Sequence, residues 1–186
     1  NVINEDKHGE SLLYYRNGNI WRKNNWINGF KDGIQIEYFE NGEIKIEYRY
    51  ESLGYKFYEM IVLNMWNEEG NLIVKEGNGN FETYYKNKNI SSEGLYKNGK
   101  LEGMFTSYYK DGKLKLESEY IDGEEYVIRR WNDNGKLIID DGNGIFIDYY
   151  SNGNVKSKSN YVNGKIDGEL LLFLEDNSPK YMGYFS

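Results

Sequence analysis

The stretch Gly103-Met-Phe-Thr-Ser-Tyr-Tyr-Lys-Asp-Gly-Lys-Leu-Lys-Leu-Glu-Ser-Glu-Tyr120-Ile-Asp-Gly123 reads as one β-hairpin and the start of the next. Two apolar–polar alternations flank Asp111-Gly112, and a second pair, Asp122-Gly123, turns the chain again. Asp-Gly is a strong hairpin signal because a type I′ turn holds both central residues at positive φ. A two-residue loop there pairs Lys110 with Lys113, Tyr109 with Leu114, Ser107 with Leu116, Phe105 with Ser118 and Gly103 with Tyr120. Opposed residues share a face, so Phe105, Tyr109, Leu114, Leu116 and Tyr120 form the buried face. Met104, Thr106, Tyr108, Lys115, Glu117 and Glu119 form the outward one. Gly103 stands across from Tyr120, and its missing side chain is expected to make room for the ring.

The same offsets recur. An aromatic follows a starting glycine at a fixed distance in Gly9 to Trp26, Gly33 to Tyr50, Gly79 to Tyr96, Gly103 to Tyr120, Gly144 to Tyr161 and Gly168 to Phe185. A turn glycine falls between them at Gly18, Gly42, Gly112 and Gly153. Lys88 takes that place in the repeat starting at Gly79 and is expected at positive φ. The chain is therefore a repeat protein. A polar lead-in covers 1–8, and a single repeat domain covers 9–186, with units starting near 9, 33, 58, 79, 103, 126, 144 and 168. Two long hairpins and one short one make a super-repeat. The stretch from Glu51 to Glu59 is longer than its counterpart and is read as a longer loop or a bulge. In the last repeat Asn177 and Pro179 replace the turn glycine and a strand apolar, and Pro179 fits a cap on the edge.

The expected fold is all-β: an elongated, single-layer antiparallel sheet of about eight stacked hairpins, solenoid-like, twisted and on the order of 75 Å long. One proline, 21 glycines and 17% aromatics suit many short strands joined by tight turns. The net charge of −7 argues against nucleic acid as a partner, and against anionic lipid. No cysteine is present, which removes disulfides, thiol nucleophiles and thiolate metal sites. No apolar run reaches the roughly 18 residues of a membrane helix. The chain starts at Asn1, which fits removal of an N-terminal piece such as a signal peptide. Its compartment is left open between a bacterial cytoplasm and the exported or cell-envelope fraction.

Tyr14-Tyr15-Arg-Asn-Gly18-Asn-Ile20, Tyr108-Tyr109-Lys-Asp-Gly112-Lys-Leu114 and Tyr149-Tyr150-Ser-Asn-Gly153-Asn-Val155 share one motif. Its second half is Tyr96-Lys-Asn-Gly99-Lys100 and Tyr161-Val-Asn-Gly164-Lys165. These residues resemble the MORN repeat variant, the bacterial relative of the membrane occupation and recognition nexus repeat. The resemblance covers nearly the whole chain from Gly9. It implies a sheet of stacked hairpins that binds partners. Many bacterial members are similar to the antitoxin component of toxin–antitoxin modules, others are exported, and the founding members are linked to phospholipid.

No catalytic set can be assembled from the sequence. His8, the one histidine, lies in the polar lead-in without a positioned partner, and neither a P-loop nor a nucleophile motif occurs. Gly77-Asn-Gly79 and Gly142-Asn-Gly144 read as hairpin turns. Asp140, Asp141 and Asp148, the last expected on the buried face, read as solvated carboxylates ahead of a calcium site. No cofactor or metal is expected.

The informative feature is a stripe. Tyr14, Tyr38, Tyr84, Tyr108 and Tyr149, continued by Phe173, take the outward place beside the buried aromatic, with Lys45, Lys115 and Lys156 as expected cross-strand neighbours. Rings alternating with charge suit a recognition surface, and they equally suit mutual support on a sheet with a thin core. The first reading is a non-enzymatic protein that binds another protein, such as a toxin, in an antitoxin or immunity role. The alternative is an exported module that binds glycan, with membrane lipid ranked below it.

Overall fold

The computed structural model describes the backbone of residues 7–54 and 57–185, and the side chains of these apart from 52–58. Among the described residues it is all strand and turn. The first seven strands are β1 (Gly9–Tyr14), β2 (Ile20–Ile27), β3 (Phe30–Lys31), β4 (Ile34–Tyr38), β5 (Ile44–Gly54), β6 (Phe57–Trp66) and β7 (Leu72–Val74). The next five are β8 (Gly79–Tyr84), β9 (Ile90–Lys97), β10 (Lys100–Tyr108), β11 (Leu114–Ile121) and β12 (Glu124–Trp131). The last five are β13 (Leu137–Asp140), β14 (Asn143–Tyr149), β15 (Val155–Val162), β16 (Lys165–Phe173) and β17 (Pro179–Phe185).

The strands form antiparallel hairpins in two sheets, not one. The seven-stranded sheet runs β1-β2-β4-β5-β6-β7 with β3 on β2, and the ten-stranded sheet runs in chain order from β8 to β17. Between β7 and β8 the described residues give one isolated bridge, Lys75↔Asn78, where the corresponding β13–β14 hairpin pairs Ile139↔Gly144 and Asp140↔Asn143. Two compact units result. One comprises the chain up to Phe81 with Leu95–Lys100, the other Glu82–Gly94 with the chain from Leu101. The extra residues after Glu51 lengthen a hairpin: Glu51 pairs with Glu59 and Gly54 with Phe57 across a register shift. Residues 1–6, 55–56 and 186 lie outside the described residues.

Register follows the expected pattern over most of each hairpin. Gly103↔Tyr120, Phe105↔Ser118 and Ser107↔Leu116 pair, as do Gly9↔Trp26, Gly144↔Tyr161 and Gly168↔Phe185. Phe105 and Tyr120 meet edge to face at 5.8 Å on the buried face. The tips differ from the two-residue loop. Gly112 N–H donates to Tyr109 at 2.9 Å and Tyr109 N–H to Lys113 at 2.8 Å, with positive φ at Gly112 and not at Asp111. This is a three-residue loop, a type I turn closed by a left-handed residue. The bulge it creates pairs Tyr108 with Leu114, so Leu114 moves to the outward face and is exposed. True type I′ turns do occur one connection later, at Asn98-Gly99, Asp122-Gly123 and Asn163-Gly164, where both residues have positive φ. The chain alternates the two turn types. The room-for-a-ring expectation at Gly103 is corrected: a Cβ there meets nothing within 4 Å, and the glycine is required by its φ of +69°.

The core gathers where strands are left half-paired. β13 pairs β12 only at Arg130 and Trp131, and β7 pairs β6 only at Met65 and Trp66. The rest of each long strand still has buried backbone groups to satisfy. Two turns supply them. Gly142 N–H donates to Ile128 O at 2.8 Å, Gly164 N–H to Gly142 O at 2.9 Å, and Val127 N–H to Gly164 O at 2.9 Å. In the first unit Gly77, Gly99, Leu63 and Val62 repeat the same three bonds at 2.7–2.9 Å. Val62, Val74 and Ile139 beside these clasps are fully buried, and Val127 is nearly so.

Two stability measurements follow. Lys88 has φ 67°, as expected for a residue in a glycine's place, so Lys88→Gly is expected to raise unfolding free energy by roughly 0.5–1 kcal/mol in a denaturant melt. Gly142→Ala puts a Cβ 2.5 Å from Gly164 N, whereas at Gly153 a Cβ meets nothing within 4 Å. The first is expected to cost more than about 3 kcal/mol and the second roughly 1–2 kcal/mol of φ strain alone, so equal costs would remove the clasp from the account.

Candidate functional site: the outward tyrosine face

The first strand of each long hairpin leads into two adjacent aromatics that alternate between faces, except the last, which has Phe173-Leu174. The inner one is fixed by a latch. Tyr15 Oη donates to Tyr38 O at 2.7 Å, Tyr85 Oη to Tyr108 O at 2.7 Å, Tyr109 Oη to Trp131 O at 2.8 Å and Tyr150 Oη to Phe173 O at 2.8 Å. Each hydroxyl thus holds the backbone of the following hairpin just at its outward aromatic. Paired asparagines add a second latch at the tips. Asn87 and Asn89 Nδ2 both donate to Lys110 O, at 2.9 and 3.0 Å, and Asn152 and Asn154 do the same to Glu175 O. The sequence pattern Asn-x-Asn before the second strand carried this signal, and its partner, a backbone carbonyl in the next hairpin, carries none.

The outward set divides in two. Tyr14, Tyr84 and Tyr149 are 58%, 50% and 56% exposed, whereas Tyr38, Tyr108 and Phe173 are half-buried. The exposed three open the pairs of long hairpins and the half-buried three follow. The three lysines are not cross-strand neighbours of the rings, because the tip bulge places Ile44, Leu114 and Val155 there. Lys45 Nζ lies 5.9 Å from the centre of the Phe39 ring, Lys115 Nζ lies 5.8 Å from that of Tyr109, and Lys156 pairs with Asp148 at 3.1 Å. Asp148 is accordingly part-exposed in an ion pair and not a buried carboxylate.

Around Tyr84 and Tyr108 the face is acidic. Tyr84 Oη donates to Glu82, Tyr108 Oη donates to Glu93 at 2.5 Å, and Glu117 meets Arg129 at 2.7 Å. The Glu93 bond, with burial and the carboxylate charge added, pushes the Tyr108 phenol up to about 12 from its ordinary 10.0. Tyr48, in the core of the first unit, is also pushed up to about 12, there mainly by burial with Arg22 opposing. Among the described residues no three carboxylates or histidines stand together as a metal site, and no helix is long and apolar enough to cross a membrane.

The model of the MORN repeat variant family matches residues 7–28, 31–52, 77–98, 101–122 and 143–163, more than half of the chain. The chain belongs to the MORN repeat variant family. A search of curated proteins found no match. The matched segments are the long hairpins apart from β16–β17, and the short β6–β7 and β12–β13 hairpins fall between them. Repeats of this kind commonly serve as binding or scaffold modules, with protein or membrane lipid as the usual partner.

Both raised phenols favour the neutral form in the folded chain. Their stabilisation is whole below pH 10, the unfolded value, and is lost as pH climbs toward 12. Glu93→Gln removes the first cause at Tyr108. Ultraviolet titration of this variant against Tyr108→Phe is expected to show that ring ionising closer to pH 10, and an unmoved midpoint would assign the shift elsewhere.

Proposed function

We propose that this MORN repeat variant protein is a non-enzymatic binding protein that takes another protein on its outward tyrosines, those of each compact unit forming a surface of their own. The observation that carries the reading is the exposure of Tyr14, Tyr84 and Tyr149 at one repeat position, beside aromatics that the fold latches inward. A ring left half in water forgoes burial in the fold and keeps that area for a partner, at small cost in side-chain entropy. Glu82, Glu93 and Glu117 around Tyr84 and Tyr108 favour a partner surface with basic side chains between apolar ones. Such binding weakens as salt is added. The same acids disfavour anionic lipid. An antitoxin or immunity role, which the family resemblance suggests, is the use of this face to cover a toxin.

Affinity capture from the native lysate and culture medium, read by mass spectrometry, tests the reading. One stoichiometric protein partner is expected. Tyr14, Tyr84 and Tyr149 replaced together by alanine are expected to weaken its capture at least about 10-fold with the circular-dichroism spectrum unchanged. Full retention by the folded triple variant rejects the tyrosine face. Capture of wall glycan alone, with rings stacking on sugar, would favour an exported module instead.

A further inference from the structure

The sequence holds nine Asn-Gly pairs. Four of them, Asn17-Gly18, Asn41-Gly42, Asn134-Gly135 and Asn152-Gly153, take one place in one kind of loop. Each asparagine precedes a left-handed glycine whose N–H closes a type I turn. Gly18 donates to Tyr15 O at 3.1 Å, Gly42 to Phe39 O at 3.0 Å, and Gly135 and Gly153 to Asn132 O and Tyr150 O at 2.9 Å. All four asparagines are exposed. Backbone and solvent are thus alike, and what differs is the side-chain amide.

In the three long-hairpin tips the amide is held at both ends. Asn17 Oδ1 accepts Asn19 N–H at 3.0 Å while its Nδ2 donates to Glu40 O at 2.8 Å. Asn152 Oδ1 accepts Asn154 N–H at 2.9 Å while its Nδ2 donates to Glu175 O at 3.1 Å. Asn41 Oδ1 accepts Glu43 N–H at 2.9 Å, and its Nδ2 donates to the Glu43 carboxylate at 3.0 Å. In the short β12–β13 tip the anchoring passes to the first residue of the loop, which is Asn132 where the long hairpins have Tyr or Phe. Lys136 N–H donates to Asn132 Oδ1 at 2.9 Å. Among the described residues, neither end of the Asn134 amide has a hydrogen-bond partner.

We propose that Asn134-Gly135 is a modification site, at which the asparagine deamidates spontaneously with water as the co-reactant. The Gly135 amide nitrogen bonds to Asn134 Cγ and gives up its proton. The Cγ–Nδ2 bond breaks, and ammonia leaves with that proton. Water then opens the five-membered imide at either carbonyl and leaves aspartate or isoaspartate. Gly135 has no Cβ to obstruct the approach. For Cγ to reach the nitrogen the side chain must turn, and at Asn17, Asn41 and Asn152 that first breaks two hydrogen bonds. The remaining pairs are held in other ways. Asn78 and Asn143 donate to Glu76 O and Asp141 O. At Asn28, Asn98 and Asn163 the attacking nitrogen is engaged outside its own turn, since Gly29, Gly99 and Gly164 donate to Lys7, Gly77 and Gly142 O at 2.8–2.9 Å.

The fold admits the product. The corresponding tip of the first unit is Asn67-Glu68-Glu69-Gly70, with a carboxylate at Glu69 in the place of Asn134. It is anchored in the same way, by Asn71 N–H on Asn67 Oδ1 at 2.9 Å. The Lys113 side chain passes beside Gly135, where a Cβ meets Lys113 Cδ at 3.9 Å, so the new charge arises next to a cation.

Ageing the full chain in warm, mildly alkaline buffer and digesting it with trypsin tests the inference. Cleavage after Arg130 and Lys136 isolates residues 131–136. Fragmentation in the mass spectrometer places the converted residue, and an isoaspartyl methyltransferase counts isoaspartate. In the folded chain Asn134 is expected to convert at least about 10-fold faster than Asn17, Asn41 and Asn152, with the four rates drawing together in urea. Glu69→Asn builds the same unanchored Asn-Gly in the first unit and is expected to convert at the rate of Asn134. Equal rates in the folded chain, the same order persisting in urea, or a folded Glu69→Asn variant that stays unconverted at that position each overturn the inference.

Discussion

The three-way backbone bonding at the glycine turns is the constraint on which the rest of the structure depends. A short hairpin cannot cover the long strand that precedes it, and a buried amide without a partner costs about 1–3 kcal/mol. The molecule answers with the tips of two other hairpins. Gly142 and Gly164 satisfy Ile128 and Val127, and Gly77 and Gly99 satisfy Leu63 and Val62. Side chains cannot be admitted there, because a Cβ on Gly99 stands 2.4 Å from Ile61 Cγ2 and one on Gly142 stands 2.5 Å from Gly164 N. Hydrogen bonding and packing therefore set the same requirement. The clasp joins turns that are not neighbours along the ladder, so each compact unit is closed by contacts beyond those of adjacent hairpins.

This division explains which parts of the fold could be read in the amino-acid sequence. Register away from the tips follows from side-chain alternation and the glycine–aromatic spacing, both local, and Lys88 betrays its φ by standing where its counterparts are glycine. The tip geometry was not legible, because Asp-Gly suits the centre of a type I′ turn and the end of a type I turn with a bulge equally well. One misplaced residue there moved Leu114 to the other face and took Lys115 away from Tyr108. The break into two sheets and the clasps rest on backbone groups meeting across the fold, for which no side-chain pattern stands.

The tyrosine face was legible as a position and not as a set of environments. The six residues share one repeat position, yet only alternate ones are open. Tyr108 shows the cause: its hydroxyl finds Glu93 on a neighbouring strand, and Glu117 adds its charge from the other side. A carboxylate that raises a phenol's pKa also holds the ring down on the sheet. The inner tyrosines do the opposite service, since their hydroxyls reach a backbone carbonyl and leave nothing free for a ligand.

What the scaffold leaves unconstrained is the outward row between those fixed points. In one copy it reads Leu12, Lys23, Ile36, Glu47 and in another Ile147, Lys158, Leu171, Met182, strand against strand in the same register. A third reads Thr106, Glu117, Arg129. Away from the last hairpin, with its Leu174 and Asn177, the flanking glycines, turn residues and inner aromatics change little across these copies, because turn φ, clasp and latch each favour a specific residue type. The row residues make no such bond to the fold beyond their cross-strand neighbours, so substitutions there alter surface chemistry at little cost in stability. A repeat built in this way can carry apolar, acidic and mixed patches on one backbone geometry. Selection for a partner then acts on row residues such as Met182 and Glu117, while selection for folding acts on Gly164 and Tyr150.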